Sequence, residues 1–313
     1  NKPYLKFRTN KKNRSLPWIP FKGSAIKVDN KGNFTFMGLK LKTWYSRKFP
    51  SNAEIKSGSI SCDNTGKWFI NITFDLNFES KELLEEYRLN LTSKGQNLTA
   101  IDPGLNPVMT LSIENPDGSI SYQEIQPQRH LRKLEVKLAM AQRANKKKLV
   151  KSVHKKIKNQ RKDFNNKLVY QLINNNHTIV NSDISIKKLI RSKLRGHAKA
   201  WTDIGIGNLR SALKSKAKKH NVTYVEVSER ILVSTQTCSH CKNLTGPRGR
   251  KGLSVSAWAC PKCGKQHLRN QNSADNHRLA YKNSLLNFNK ELKNNASLTL
   301  PAVGVSTEES PNL

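Results

Sequence analysis

Thr237-Cys238-Ser239-His240-Cys241, followed further on by Trp258-Ala259-Cys260-Pro261-Lys262-Cys263-Gly264, carries two C-x-x-C pairs with 18 residues between Cys241 and Cys260. Four thiolates at this spacing can close a tetrahedral shell around one zinc ion, each pair forming a tight knuckle. The competing reading is a disulfide-stapled surface loop. With five cysteines in the whole chain and no legible signal peptide, metal is the better use of the thiols. A structural zinc ribbon is therefore expected over residues 237–267, with Cys238, Cys241, Cys260 and Cys263 as ligands. His240 and His267 flank it and are not needed as ligands.

Outward from the ribbon, the chain is strongly basic. Its 313 residues hold 56 Lys and Arg against 22 Asp and Glu, a formal charge of +34. A field of that sign attracts a polyanion, and nucleic acid is the default partner. An anionic membrane is the runner-up, but no long apolar run or basic amphipathic anchor supports it. A ribosomal-type protein is a further alternative, disfavoured by the length and the ordered β pattern. Asn-x-Ser/Thr sequons such as those at Asn71, Asn90 and Asn221 read as accidents of an Asn-rich composition. The chain opens on Asn1, not Met, which suits a start partway through a longer protein.

Residues 1–80 alternate apolar and polar in short runs at 25–28, 33–37, 39–44, 57–62 and 67–77. Gly23, Asn30-Lys31-Gly32 and Asp63-Asn64-Thr65-Gly66 are turns between them. This predicts a small β-barrel. Trp18, Trp44 and Trp68 are expected to pack inside it in preference to stacking on bases, and Cys62 to be an ordinary packed strand residue. Residues 81–97 read as a linker with a short helix. Leu98–Gly104, Val108–Ile113 and Ile120–Ile125 then predict a three-stranded meander, with Asp102 at the end of its first strand.

Residues 128–176 read as a basic helical hairpin. Positions 129–162 hold 14 Lys or Arg and one acid, while Leu149, Val153, Ile157, Phe164, Leu168 and Leu172 form one apolar stripe. Phosphate contact is preferred to a merely solvated face. The candidates are Arg132, Lys133, Lys147, Lys155, Arg161 and Lys162, joined by Arg248 and Arg250 in the basic ribbon insert. A strand over 178–184, a helix over 198–220, a strand over 222–227 and a closing helix over 271–292 follow. Residues 293–313 look disordered. The order of elements is that of an RNase H-like sheet with insertions. The fold class is thus α+β and multidomain: the barrel, an α/β domain over 98–236, the ribbon, and the last helix over 268–292.

Three segments carry a family resemblance. Ala100-Ile101-Asp102-Pro103-Gly104-Leu105 resembles the first RuvC motif of the transposon-encoded TnpB proteins and the related type V CRISPR effectors. Ser234–Cys241 with Trp258–Gly264 resembles their zinc ribbon, and Gln266–Asn276 resembles the frame of their third RuvC motif. The resemblance runs from about residue 15 to the closing helix. It implies a wedge-like barrel, a RuvC domain carrying the ribbon, and RNA-guided DNA nuclease activity. The partners implied are a guide RNA and target double-stranded DNA in a prokaryotic cytoplasm, near the nucleoid. No oligomeric state is implied.

RuvC chemistry needs two divalent ions clamped by carboxylates. In this family's pattern Asp102 fills the first position. Ser182 stands where a Glu belongs, in Ile179-Val180-Asn181-Ser182-Asp183-Ile184, and Asn270 where the last Asp belongs. Asp183 points to the opposite strand face, Asp275 lies round the helix, and Glu226 belongs to a non-catalytic frame. The resemblance is therefore closest to the TnpB-like nuclease-dead repressors: an RNA-guided DNA-binding protein that occupies its target, with structural Zn2+ and no Mg2+-supported cleavage. An active endonuclease with a rearranged site is the alternative, and a guide-independent nucleic-acid-binding protein a third reading.

Overall fold

The structure, a computed structural model, describes residues 18–29, 33–44, 49–50, 52–191, 196–252 and 254–294; at 250 and 286–294 it describes the backbone alone. The expected tail from 295 onward lies outside the described residues. The chain divides into two compact units, Asn1–Asn90 with Lys137–Lys156, and Leu91–Val136 with Ile157–Leu313.

The first unit is β-rich. Strands β1 (Trp18–Lys22), β2 (Ile26–Val28), β3 (Phe34–Phe36), β4 (Leu39–Leu41), β5 (Ala53–Cys62) and β6 (Trp68–Leu76) precede helix α1 (Lys81–Leu91). They form two three-stranded antiparallel sheets, β1-β5-β6 and β2-β3-β4. The β5–β6 hairpin turns where the sequence placed a turn. Asp63 Oδ1 accepts from the amides of Thr65 (2.8 Å) and Lys67 (3.0 Å), and Gly66 takes φ +84°. Phe34, Phe49 and Phe74 make a chain of edge-on ring contacts at 6.1 and 5.3 Å.

The expected burial of the tryptophans is overturned. Trp18, Trp44 and Trp68 are 64%, 97% and 58% exposed. Trp18 pairs with Ser61 and Trp68 with Cys62, so the two project from opposite faces of the sheet. The buried apolar residues described in this unit's strands are Ile26 of β2 and Phe34 of β3 instead.

The second unit is built on a mixed sheet. Its strands are β7 (Asn97–Pro103), β8 (Met109–Glu114), β9 (Ile120–Ile125), β10 (Asn176–Ser182) and β11 (Thr223–Val227), in the order β11-β10-β7-β8-β9. β7, β8 and β9 are antiparallel neighbours, while β10 runs parallel to both β7 and β11. The β8–β9 turn at Asn115–Gly118 closes through Gly118 at φ +80° and the 2.9 Å bond from Ser119 N to Asp117 Oδ1. Helices α2 (His130–Arg143) and α3 (Lys147–Asn175) form the basic hairpin between β9 and β10. A short helix α4 (Ile186–Ile190), which the sequence did not announce, follows β10.

The single helix expected over 198–220 is two helices, α5 (His197–Ile204) and α6 (Ile206–Lys219). They meet at Gly205, whose φ of +69° ends one and starts the other. Trp201, Leu209 and Leu213 are buried as expected. After β11 come α7 (Glu229–Leu232), α8 (Gly249–Gly252), the two ribbon strands β12 (Ala257–Ala259) and β13 (Gln266–Leu268), and the long helix α9 (Arg269–Asn294).

The two faces of the sheet bury different things. Ile101, Leu111 and Ile179 belong to the main core with Leu168, Leu172, Leu209 and Leu213 of α3 and α6. Leu98, Ala100 and Val180 lie on the other face, packed with Tyr281 of α9. The period of two along a strand continues that second face to Asp102 and Ser182.

Candidate functional site

The ribbon is two copies of one turn. In the first, Cys238 N donates to Asn243 O (2.9 Å) and Lys242 N to Cys238 O (2.9 Å). In the second, Cys260 N donates to Lys265 O (2.9 Å) and Gly264 N to Cys260 O (2.8 Å). Lys242 and Gly264, at equivalent places, take φ +64° and +71°. The knuckles bring the four sulfurs within 4.8 Å of one another, the only such group of three or more His, Cys, Asp or Glu ligand atoms among the described residues. Cys238–Cys263 and Cys241–Cys260 are 3.8 and 3.6 Å apart. A tetrahedral ion with metal–sulfur bonds of about 2.3 Å requires sulfur separations near this value. The hydroxyl of Thr245, 3.2 Å from Cys260 Sγ, lowers that thiol to about 6, which favours the ligating thiolate. His240 is exposed. His267 lies against the ring of Trp258 with Nε2 3.1 Å from Cys238 Sγ, beside the cluster and not within it.

Two asparagines of α9 tie the ribbon to the sheet. Asn272 Nδ2 donates to Thr237 O (2.8 Å) while its Oδ1 accepts from Ser239 N (2.8 Å). Asn276 Nδ2 donates to Ser234 O (2.9 Å) and Thr237 O (2.6 Å).

Beneath that joint lies Asp102. Its Oδ1 accepts from Ser273 Oγ at 2.9 Å. Ser273 Oγ is 2.7 Å from Ser234 Oγ, and Ser234 Oγ is 2.9 Å from both oxygens of Glu229. Glu229 is paired with His277, whose Nδ1 donates to Ile101 O at 2.9 Å. Burial pushes the Asp102 carboxyl up to about 6, against the opposing pull of His277 and the Ser273 bond. Burial acts against the charge on His277 and on Glu229 as well. Their mutual pairing outweighs it, raising the imidazole and lowering the carboxyl. Two hydroxyl protons cannot serve three contacts, from Asp102 to Ser273, Ser273 to Ser234 and Ser234 to Glu229. With Ser273 donating to Asp102, Ser234 can donate either to Ser273 or to Glu229 but not to both at once.

Ser182 is buried, and its hydroxyl has no hydrogen-bond partner. Asn270 is half-buried in the first turn of α9. The three acids weighed as substitutes are all engaged elsewhere. Asp183 accepts from Glu229 N (2.9 Å), Glu226 pairs with Arg210 (2.6 Å), and Asp275 accepts from Ser112 (2.6 Å) and Tyr122 (2.7 Å). Glu229, the acid that does act on Asp102 electrostatically, was missed. It lies two residues beyond the end of β11, and only the parallel pairing of β11, β10 and β7 brings it near Asp102.

The basic candidates separate by what they touch. Lys155 is ion-paired with Asp63, bonded to Thr65 Oγ1 (3.0 Å) and lies over the Phe69 ring at 5.7 Å. Arg161 donates to Asp203 O (2.7 Å) and sits 3.6 Å from its carboxylate. Arg132, Lys133, Lys147 and Lys162 are exposed. Arg248 is exposed and donates to Leu244 O at 2.8 Å. The side chain of Arg250 lies outside the described ones.

Two family descriptions match stretches of the chain that span parts of the sheet and of the four-cysteine ribbon. "Probable transposase" (OrfB_IS605) covers residues 82–193 and "Cas12f1-like, TNB domain" covers 207–277. Among curated proteins, a "Putative RNA-guided DNA endonuclease" of Streptomyces pristinaespiralis is 31% identical over 245 residues, 74% of this chain and 54% of that protein. "TnpB-like protein L79" of Acanthamoeba polyphaga mimivirus is 24% identical over 202 residues, 59% of this chain and 37% of its own length. A cryo-EM structure of a Cas12f1–sgRNA–target DNA complex aligns with TM-score 0.43 and 16% identity over 87% of this chain and 68% of that one. By these two family descriptions the chain is similar to probable transposases and to proteins with a Cas12f1-like TNB domain. It belongs to the TnpB family. It spans about half the length, or less, of these curated relatives.

Proposed function

We propose that this chain is an RNA-guided DNA-binding protein of TnpB type whose RuvC site does not cleave, acting as a repressor by occupying guide-specified DNA. In this reading the first unit is the wedge-like barrel and the second an RNase H-like RuvC domain. Its partners are a guide RNA and target duplex DNA. Zn2+ is held by Cys238, Cys241, Cys260 and Cys263 as a structural ion, and Mg2+ supports no cutting. The observation that carries the reading is the bonding of Asp102. The one carboxylate kept at a motif position accepts from the Ser273 hydroxyl, with Ser182 and Asn270 where further acids would be needed. A divalent ion prefers several anionic oxygens, and a single buried carboxylate supplies too few.

Guide RNA would select the target by base pairing, and the protein would hold the duplex through its phosphates. Without cleavage the complex stays in place and blocks polymerase. The test is to purify the protein with its cellular RNA, sequence that RNA, and offer matching DNA with Mg2+. Binding without cutting is expected. Cutting that Asp102→Ala abolishes would overturn the reading. The rival, an active nuclease with a rearranged site, is favoured by one observation, the electrostatic proximity of Glu229 to Asp102; its mark would be cutting lost in Glu229→Gln as well.

A further inference from the structure

A cavity of about 240 Å³ opens in the second unit beside the loop that follows β7. A cavity of roughly 150 Å³ already accepts a benzene ring, and drug-sized sites run to roughly 300–1,000 Å³. The space suits one or two fused rings. Its apolar wall is Leu105, Phe164 and Ile204. Its polar element is His130, whose ring meets Phe164 edge-on at 6.0 Å and whose Nε2 is buried with no hydrogen-bond partner. Burial lowers the pKa of this imidazole, so it offers a neutral hydrogen bond.

The rim has the opposite character. Arg129 and Arg132 are exposed and make no ion pair among the described residues. The one acid in the wall, Asp203, is already matched: it accepts from Leu131 N at 2.8 Å and pairs with Arg161. A flat ring inside, a hydrogen bond to its edge and two guanidiniums outside make the recognition set for a base carrying a phosphate. We infer that this cavity takes one unstacked nucleotide of a single-stranded nucleic acid, with the base against Phe164 and His130 and the phosphate at Arg129 and Arg132. The inference rests on the nucleic-acid-binding part of the reading above and is independent of whether the chain cleaves DNA.

The test uses the full chain freed of RNA by nuclease and high salt, probed with AMP, CMP, GMP and UMP by ligand-observed saturation-transfer NMR. Base protons should receive saturation, and equimolar inorganic phosphate should leave the signal in place. Ala200→Leu, which fills the cavity from α5, should reduce the signal at least fivefold. The double substitution Arg129→Ala/Arg132→Ala, on exposed positions that do not threaten folding, should weaken nucleotides about tenfold and leave unphosphorylated nucleosides unchanged. Signal equal in the wild type and both variants, or removed by phosphate alone, would overturn the inference. RNA recovered before stripping is sequenced in parallel. A discrete RNA with no mononucleotide signal counts against the cavity alone, and a mononucleotide signal with no discrete RNA counts against guide dependence alone.

Discussion

Asp102 is the residue at which stability and function pull apart. Burial pushes its carboxyl in the fold up to about 6, from an ordinary value of about 3.9. Between those pH values the folded chain holds a proton that the unfolded chain lacks, so this group adds stability as pH falls through 6 and withdraws it as pH rises. Ionised and buried at neutral pH it costs about 3 kcal/mol, at roughly 1.4 kcal/mol per tenfold change in proton affinity. Asp102→Asn should therefore raise the thermal midpoint at pH 7.5, have little effect below pH 4, and keep nucleic-acid binding. Melting curves across pH 4–8 check this; a lower midpoint at pH 7.5 would show that the charge is satisfied in the fold. Of the neighbouring pair, Glu229 runs the other way and His277 the same way. Glu229 is held below its ordinary value mainly against burial, by His277, so its contribution is lost as pH falls through its folded pKa. His277, held above its ordinary value, contributes fully below about 6.5 and loses that contribution as pH rises through its folded pKa.

At the scale of elements, the break between α5 and α6 has a sharp test. Gly205 takes φ +69°, and a Cβ there would come within 2.6 Å of Arg161 Cδ, the side chain that holds Asp203. Gly205→Ala should cost roughly 2–3 kcal/mol, from the left-handed backbone and the displaced arginine together. Gly207, two residues on and inside α6, meets nothing closer than Ile186 Cδ1 at 3.7 Å, so Gly207→Ala should be stabilising by up to about 1 kcal/mol. Urea titrations of the two variants check the sign of each. The same pair shows where sequence reading stops. Periodicity through Trp201, Leu209 and Leu213 continues across Gly205, so one helix was expected; the break is visible only in the φ. The ribbon was legible because its chemistry is local to two short turns. Glu229 was not, because its approach to Asp102 depends on the parallel register of β7, β10 and β11. The tryptophans were misread because hydrophobicity alone assigns a large aromatic to the core, whereas Ile26 and Phe34 are the apolar strand residues buried there.

The ribbon and α9 extend this to the joint between elements. Asn272 and Asn276 grip Ser234, Thr237 and Ser239 at the ribbon's first turn, and Ser234 and Ser273 continue into the Asp102 relay. The four thiols, held by no disulfide, could hold a metal ion, and removing an ion bound there would loosen the carbonyls those asparagines bind. Chelation, or Cys260→Ser, should lower the unfolding midpoint by several degrees and speed amide exchange in 234–241 and in the first turns of α9. Hydrogen-exchange mass spectrometry with and without chelator checks this; exchange confined to 237–267 would mean that the joint does not transmit the loss.

For the whole molecule the governing quantity is +34, and the question is how much of that charge is available to phosphate. Lys155 and Arg161 show why a count of cations overstates it. Their partners Asp63 and Asp203 lie 92 and 42 residues away in sequence, beyond any local pattern, and each pairing keeps a cation at home. Arg132, Lys133, Lys147 and Lys162 are exposed by contrast. Binding to duplex DNA or to an RNA–DNA hybrid should weaken steeply with salt, because each phosphate neutralised releases counterion. Replacing one of those four exposed residues by Ala should lower the slope of log K against log salt by about 1 if it contacts phosphate, with the thermal midpoint unchanged. Lys155→Ala and Arg161→Ala should leave the slope nearly constant and instead destabilise the fold, since each strands a partly buried carboxylate. Binding isotherms at four salt concentrations, read beside melting curves for the same variants, separate the two classes. A slope that falls for Lys155→Ala with no loss of stability would return that lysine to the nucleic-acid surface.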